Sequence, residues 1–330
     1  MRDTRPRIHY SKYLNLLTIL VTVTGGGFEV TCKLLAGYVM PHGGIALDPT
    51  HFNTTNTTSR AEAWELHKAC VAVGQQIDEI APDLIFLSTP HGISDLRNFG
   101  FYLNPEAQGG ADTDNCQCPP CCYNVSVGLD VNVSQRLVGK FGYDRNVSGI
   151  SGYGPPGQSS EPFPLRWGEV IPLHFVGGPG LSRTRVVILS QPSRRYTEQV
   201  AMIPELLKLG SDLYTYLEGL SERVVMIISA DLAHTHLADG PYGYSNTSEP
   251  FDLAVGEWAG SLDEHALLVT ASQLVDRALS CGYTGLVMMH GVFSAGGLSS
   301  WQPDLLVNHH PSYYGMMVAS ITRRNIVLVS

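Results

Sequence analysis

Three histidines in this chain share one local setting, because each follows a short apolar run and precedes a turn. They are His42 in MPHGG, His91 in STPHG and His234 in SADLAH. Imidazole is a common protein ligand of iron, copper and zinc, and imidazoles that converge from separate strands form open sites of the kind used in catalysis. A single histidine after a strand is ordinarily a loop residue, so it is the repetition that predicts a metal site.

The apolar runs before these histidines predict buried parallel strands at Leu34–Met40, Leu84–Leu87 and Val224–Ile228. The segment Ala61–Ile80 carries apolar residues at the three-and-four spacing of one helix face. Residues 34–91 are therefore expected to form one β-α-β unit. Because ligands of open α/β sheets collect beyond the carboxyl ends of the strands, we expect the three histidines to emerge at one edge of the sheet.

The composition favours one large α/β domain. The 330 residues are 44% hydrophobic and 15% charged, which is ample for a substantial core. Asp plus Glu number 30 against 21 Lys plus Arg, and the formal net charge is -9. This balance argues against a nucleic acid as partner and favours a small-molecule ligand.

Beyond the first β-α-β unit, the pattern predicts an insertion and then more strands and helices. Residues 104–168 are rich in Gly, Pro, Ser, Asn and Cys, which is typical of a loop-rich insertion such as a lid or a binding loop. Strands are predicted at Val170–Val176, Thr184–Ser190, Arg223–Ser229 and Tyr314–Ile321, and helices at Thr197–Leu220, Phe251–Trp258, Glu264–Ser280 and Thr284–Val292. Residues 34–330 are therefore expected to form a single three-layer α/β/α domain around a mostly parallel or mixed sheet.

Residues 1–33 are interpreted as an N-terminal extension. Its apolar stretch Leu14–Val23 follows several basic residues and resembles a secretory signal, although it is too short to span a membrane. Six glycosylation sequons begin at Asn53, Asn56, Asn124, Asn132, Asn146 and Asn246. The sequons make secretion possible, but the same motifs occur without modification in cytosolic proteins. We therefore predict a cytoplasmic protein and keep secretion as the alternative.

Four of the seven cysteines are grouped at Cys116, Cys118, Cys121 and Cys122. Their spacing is irregular for a thiolate zinc site, so a disulfide-tied or reduced surface loop is favoured over a zinc knuckle. The other three, Cys32, Cys70 and Cys281, have apolar neighbours, for which a buried free thiol is the default interpretation.

With these residues placed, the chain resembles the class III extradiol ring-cleavage dioxygenases, whose superfamily also contains the Memo proteins. The resemblance runs from about Leu34 to Ile321. It is carried by Pro41-His42, Ser88-Thr89-Pro90-His91, the stretch from Ser229 to His234 continuing to Gly240-Pro241-Tyr242-Gly243, Phe251-Asp252, and Cys281-Gly282 with His290-Gly291-Val292.

The resemblance implies a non-haem Fe(II) held by His42, His91 and a carboxylate, a face that leaves positions open for substrate and oxygen. The residue corresponding to His234 is the catalytic acid/base of the family. The implied reaction uses O2 to open a catechol-like aromatic ring beside its diol. Family members often pair, so a homodimer is also expected.

One position departs from the ring-cleaving pattern, because Ser280 stands where the carboxylate ligand is expected. The neighbouring Cys281 corresponds to the position that Memo proteins use as a third ligand, and a His-His-Cys face favours copper or zinc over iron. The runner-up function is therefore a Memo-like metal-binding protein in copper or iron redox or in signalling, without turnover. Shifted carboxylates at Glu257, Glu264 or Asp276 would rescue the iron site, but none is favoured, and Glu257 and Glu264 are expected to face solvent.

Three further residues are candidates for substrate binding. His236 either assists His234 or is a solvent-exposed loop residue, and exposure is favoured because alternate residues share a face only if the strand continues. His174 is predicted on a strand, where it either reaches the pocket rim or is a core or edge histidine. Tyr313 lines an aromatic pocket or fills the core. The adjacent His309 and His310 point to opposite faces of a strand and are not expected to bind the metal directly.

Overall fold

The computed structural model describes residues 33–152, 161–177 and 181–324, together with the backbone of residues 23–24 and 27–28. The chain divides into two units, Met1–Cys32 and Lys33–Ser330. In the first unit, strand β1 (Val23–Thr24) pairs antiparallel with β2 (Gly27–Phe28). Residues 14–22 of the signal-like stretch and Cys32 lie outside the described residues.

The second unit contains the strands and helices that position the histidines. Its strands are β3 (Leu34–Met40), β4 (Leu84–Thr89), β5 (Phe99–Tyr102), β6 (Glu106–Ala111), β7 (Tyr123–Gly128), β8 (Val147–Ile150), β9 (Phe163–Leu165), β10 (Arg185–Ser190), β11 (Val224–Ser229), β12 (Trp301–His309) and β13 (Met316–Arg323). Its helices are α1 (Gly44–Leu47), α2 (Thr57–Ile80), α3 (Val131–Phe141), α4 (Trp167–Val176), α5 (Arg195–Glu198), α6 (Ile203–Glu218), α7 (Ser248–Ser261), α8 (Ser272–Ala278) and α9 (Tyr283–Ala295). Short 3-10 turns occur at Pro49–His51 and Leu298–Ser300, and a π-helical turn spans Ala266–Ala271.

Eight strands form the main sheet in the order β12-β13-β3-β11-β4-β10-β5-β8. The central four, β3, β11, β4 and β10, run parallel to one another. Strand β13 is antiparallel to β3, and β5 is antiparallel to β10. The predicted mixed sheet with a parallel centre is confirmed.

Each central strand is buried on both faces, which explains its continuous apolar sequence. In β11, Met226 contributes to a core with Leu209 of α6 and Met289 of α9. The next residue, Ile227, belongs to a second core with Leu66 of α2. Because successive side chains of a strand point to opposite faces, the sheet lies between two helical layers, and the three-layer architecture is confirmed.

Helix α2 forms the crossover between β3 and β4, as predicted, and starts four residues earlier than the apolar pattern indicated. The Asn56 side chain caps it by accepting hydrogen bonds from the backbone N–H groups of Thr58 (2.9 Å) and Ser59 (3.3 Å). The helix ends at Ile80, and the next residue, Ala81, has a left-handed φ of 47° and precedes Pro82.

One strand prediction is wrong, because residues 170–176 belong to helix α4. An apolar run of this length is ambiguous by periodicity alone, since a helix buried on all sides has the same composition as a buried strand. Hydrogen bonds at the start of α4 stabilise the helix over the alternative strand. The Glu169 carboxylate accepts a hydrogen bond from the backbone N–H of Arg166 (3.0 Å), and the backbone N–H of Glu169 donates to the Arg166 carbonyl.

Other bounds differ less. The helix expected at residues 197–220 is divided into α5 and α6, and the one expected at 264–280 begins with the π-helical turn before α8. The inserted region contributes helix α3, strand β8 of the main sheet and a separate sheet in the order β7-β6-β9. Among the described residues, no helix is long and apolar enough to cross a membrane.

Candidate metal centre

The three histidines emerge at one edge of the sheet because β3, β11 and β4 are neighbours. His42 follows β3, His234 follows β11 and His91 follows β4. The imidazole rings of His42 and His91 have centroids 4.7 Å apart and meet edge to face. Cys281 joins them, with its Sγ atom 3.3 Å from Nε2 of His42.

One ligand atom from each of His42, His91 and Cys281 lies within 4.8 Å of the other two. The structure therefore brings together the three residues that the sequence predicts as metal ligands. His42 and Cys281 are buried, and His91 is partly buried.

Cys281 is held at the sheet edge by the residues on either side of it. The Ser280 hydroxyl donates to the Asp231 carbonyl oxygen (3.0 Å), and the Gly282 backbone N–H donates to the same oxygen (3.1 Å). A Cβ atom on Gly282 would lie only 2.4 Å from Cβ of Ala230. Glycine at 282 thus allows the start of α9 to pack closely against the end of β11.

A hydrogen-bond chain sets the tautomer of His42. The Ser229 hydroxyl donates its only proton to the Gly168 carbonyl oxygen (2.6 Å) and lies 2.8 Å from Nδ1 of His42. Ser229 Oγ must therefore accept a hydrogen bond from Nδ1–H. This leaves the lone pair of Nε2 directed at Cys281, which is the tautomer that a metal ligand requires.

The electrostatics of the triad fit a bound cation. Burial is the main cause that holds the pKa of His42 well below its usual value, and a positive charge on His91 is the second cause. Burial is also the main cause that lowers the pKa of His91 to about 3, and the Arg195 charge is the second. Burial raises the pKa of the Cys281 thiol to about 12. Two neutral imidazoles and a thiol that loses its proton when a metal binds form a donor set that suits copper and zinc well and Fe(II) less well.

A carboxylate that sequence reasoning missed lies beside the triad. Asp231 Oδ2 is 3.3 Å from Nε2 of His42, and Oδ1 accepts a hydrogen bond from the His42 backbone N–H (3.0 Å). Burial raises the pKa of Asp231 to about 7. An acidic residue inside the otherwise apolar stretch at the end of β11 was the available signal. The shifted candidates Glu257, Glu264 and Asp276 are all exposed, which was expected for the two glutamates.

His234 is arranged as a base. Its Nδ1–H donates to the Leu232 carbonyl oxygen (2.9 Å), because a carbonyl only accepts, and Nε2 therefore carries the free lone pair. Burial lowers its pKa, so the ring is neutral near pH 7. When protonated, His234 would lower the pKa of both His42 and His91, so it lies close to these candidate ligands.

Three tyrosines surround the His234 ring. The ring centroids of Tyr242, Tyr313 and Tyr314 lie 5.8, 6.2 and 5.8 Å from it. Tyr313 is thus next to the acid/base candidate, and the group offers an aromatic wall for a flat ligand.

The preference for an exposed His236 is wrong. Its side chain is only 4% exposed, because Nε2 lies 2.8 Å from Oδ2 of Asp252 and the ring stacks on His310 at 4.0 Å. Sequence periodicity missed this because the chain after β11 is irregular and turns back to contact α7. Asp252 also accepts a hydrogen bond from the Ala233 backbone N–H (2.9 Å), so it fixes the segment that carries His234.

The remaining histidine candidates lie away from the triad. His174 is on helix α4, where its ring contacts Tyr123 (5.2 Å) and Phe175 (5.8 Å), and burial lowers its pKa. His309 ends β12 and His310 follows it, and the two point to different partners, Glu65 and Glu249.

The grouped cysteines form two disulfides, Cys116–Cys121 and Cys118–Cys122. Of the interpretations of this cysteine group, the structure therefore supports the disulfide-tied loop and not the reduced loop or the zinc knuckle. Cys70 and Cys281 are buried free thiols, as predicted.

Comparison with known proteins supports the fold and leaves the family open. No family model matches the sequence. The chain is 26% identical to Protein CA_C1420 of Clostridium acetobutylicum over 190 residues, a match that covers 56% of this chain and 37% of that protein's length. The crystal structure of uncharacterized protein JW3007 from Escherichia coli K12 superimposes with a TM-score of 0.51 at 14% identity, covering 87% of this chain and 99% of that one. At this identity the likeness extends to the fold alone.

Proposed function

We propose that the chain is a non-haem metal-dependent dioxygenase that opens a catechol-like ring beside its two hydroxyl groups. The observation that carries the proposal is a neutral histidine base, His234, next to the His42–His91–Cys281 triad and flanked by tyrosines. Both atoms of O2 enter the ring-opened product, so the reaction balances without an external reductant.

His42, His91 and Cys281 are the residues that would hold the metal, and Fe(II) is the proposed ion. When bound, the metal supplies adjacent sites for the diol and for O2 and favours the ionised form of the diol. Asp231 adds a buried carboxylate beside the triad, with Oδ2 3.3 Å from His42 Nε2, but it is not one of the three residues that would hold the metal.

His234 takes the proton of a phenolic hydroxyl at Nε2 and returns it as the product forms. Its Nδ1–H bond to the Leu232 carbonyl orients the ring and strengthens as the imidazole becomes charged. Proton transfer by a positioned side chain contributes roughly 10²- to 10⁴-fold in rate. The tyrosines beside His234 position the substrate ring and exclude water from it.

Cys281 favours a second candidate function. A thiolate next to two imidazoles binds copper or zinc well, so a Memo-like metal-binding protein in copper or iron redox or in signalling is the alternative. The two candidates differ in turnover, since only the dioxygenase consumes oxygen when a catechol is present. The homodimer remains a prediction.

Metal analysis of anaerobically purified protein, followed by oxygen uptake with Fe(II) and a panel of catechols, separates the two functions. The dioxygenase is supported by stoichiometric iron and catechol-dependent uptake. Tightly held copper or zinc without uptake would overturn it in favour of the metal-binding protein.

A further inference from the structure

Arg195 is a buried cation at the same sheet edge as the candidate metal ligands. It begins α5, shortly after β10, and β10 is the neighbour of β4, the strand that leads to His91. Only 4% of the residue is exposed. Its Nη2 atom donates to the carbonyl oxygen of Pro90, the residue before His91, and to the Tyr196 hydroxyl (2.8 Å).

The rest of the guanidinium makes no hydrogen bond to the described part of the chain, and its Nε and Nη1 atoms are buried. The nearby buried carboxylates are engaged elsewhere, Asp231 with the His42 backbone and Glu169 with Tyr102 and the Arg166 backbone. Leaving a buried charge unpaired is costly, so this arrangement indicates a binding partner that the fold itself does not provide.

The Arg195 charge reaches the metal ligands, since it acts on His42, His91 and Cys281. Trp167 and Arg166 also lie near His91. The Trp167 ring is 5.1 Å from the ring of His91, and the Arg166 guanidinium is 5.0 Å from the Trp167 ring.

We propose that Arg195 binds a carboxylate of the substrate, so that the substrate class is an aromatic acid and not a neutral catechol. The aromatic half of this inference rests on the proposed function, whereas the anion-binding half rests on Arg195 itself. Guanidinium nitrogens match a carboxylate in a planar, two-pronged geometry that a lysine does not reproduce.

Tyr196 controls access to Arg195. Its ring lies 3.8 Å from the guanidinium and is 63% exposed. An exposed side chain changes rotamer quickly, so an entering carboxylate displaces Tyr196 and takes its place against the guanidinium. Tyr196→Ala should therefore leave carboxylate binding intact or strengthen it.

The test compares an acid with its neutral ester. Titration calorimetry measures benzoate and methyl benzoate on the metal-free chain, then 3,4-dihydroxybenzoate and its methyl ester on the Fe(II)-loaded chain under argon. We expect the acid to bind more tightly than the ester by roughly 10- to 100-fold, the size of a charge-assisted pair. Arg195→Gln should abolish this ratio and Arg195→Lys should retain part of it, whereas the exposed control Arg183→Gln should keep it in full.

The outcomes separate this inference from the proposed function. Equal binding of acid and ester to the wild type, or an unchanged ratio in Arg195→Gln, would overturn the role of Arg195 even if the protein binds iron and consumes oxygen. A chain that holds no metal yet prefers benzoate through Arg195 would sink the dioxygenase and leave the anion site standing. If Arg195→Gln does not fold, the Lys variant and the wild-type acid-to-ester ratio still decide the matter.

A second inference comes from the six sequons. All six of their asparagines are exposed, whereas of the four other described asparagines, Asn98, Asn104, Asn115 and Asn308, only Asn115 is. The two disulfides are typical of an oxidising compartment. We infer that the chain carries N-linked oligosaccharides at these asparagines and passes through the secretory pathway, against the cytoplasmic prediction.

The local contacts are compatible with a glycan on the amide nitrogen. Asn56 caps helix α2 through Oδ1, which leaves its Nδ2 free for attachment. Asn146 donates from Nδ2 to Glu205 (2.7 Å), and a glycosylated amide keeps one proton for that bond.

The test expresses residues 1–330 in eukaryotic cells and maps the peptides after treatment with peptide N-glycosidase. Sequon asparagines recovered as aspartate, with Asn115 recovered unchanged as the internal control, would support the inference. Recovery of all six as unmodified asparagine would overturn it.

Discussion

The Nε2 atom of His42 lies 3.3 Å from the Sγ atom of Cys281, although 239 positions separate the two residues in the chain. The sheet edge supplies the histidine and the start of α9 supplies the thiol. Because Ser229 holds the proton on Nδ1 of His42, the lone pair of Nε2 faces the sulfur. A divalent ion between the two would satisfy both groups.

Cys281→Ala should reduce the affinity for zinc and copper by more than the roughly 10- to 100-fold typical of a residue that only orients a ligand. The physical reason is the loss of the one soft ligand of the triad. Competition titration with a coloured chelator measures the affinity. Cys70→Ala, which removes a second buried free thiol of the described residues, is the matched control and should bind metal normally. Equal affinities in the two variants would exclude Cys281 as a ligand.

Ser229→Ala should weaken metal binding by roughly 10- to 100-fold, because Nδ1 of His42 loses the acceptor that sets its tautomer. The same titration provides the measurement. The exposed Ser299→Ala serves as the control. Unchanged affinity in Ser229→Ala would show that the tautomer does not depend on this hydroxyl.

His234→Ala should keep its metal and lose most turnover, by roughly 10²- to 10⁴-fold. Loss of the metal would make His234 a ligand and contradict its role as a base. In the wild type, burial lowers the pKa of His234 below its usual 6.5. The base is therefore unprotonated and active at neutral pH, and the rate should fall only as the pH drops below about 6.5. The acidic limb of the pH–rate profile should disappear in His234→Ala.

Glu169 should make the fold less stable as the pH rises. Burial raises its pKa from 4.5 to about 7, so between these values the folded chain binds more protons than the unfolded chain, and the free energy of unfolding falls with increasing pH. At about 1.4 kcal/mol for each pH unit, the effect is about 3 kcal/mol. In urea titrations, Glu169→Gln should reduce the change of the free energy of unfolding with pH. If this change stays as large as in the wild type, Asp231 and not Glu169 is its cause.

The sequence predicted those parts of the site that follow from strand ends. The apolar run Leu34–Met40 is a buried strand with His42 just beyond it, as predicted. Asp231 and Arg195 were missed because their importance arises from burial beside residues that are distant in the chain. The segment 170–176 was assigned to the wrong element because an apolar run does not distinguish a buried helix from a buried strand.

The most direct test of the dioxygenase is to supply isotopically labelled O2 to the Fe(II)-loaded protein with 3,4-dihydroxybenzoate. Mass spectrometry then measures the mass of the product. The account predicts a yellow ring-opened product that contains both labelled oxygen atoms and is nearly absent with His234→Ala. A protein that retains copper or zinc, consumes no oxygen and leaves the catechol intact would contradict it.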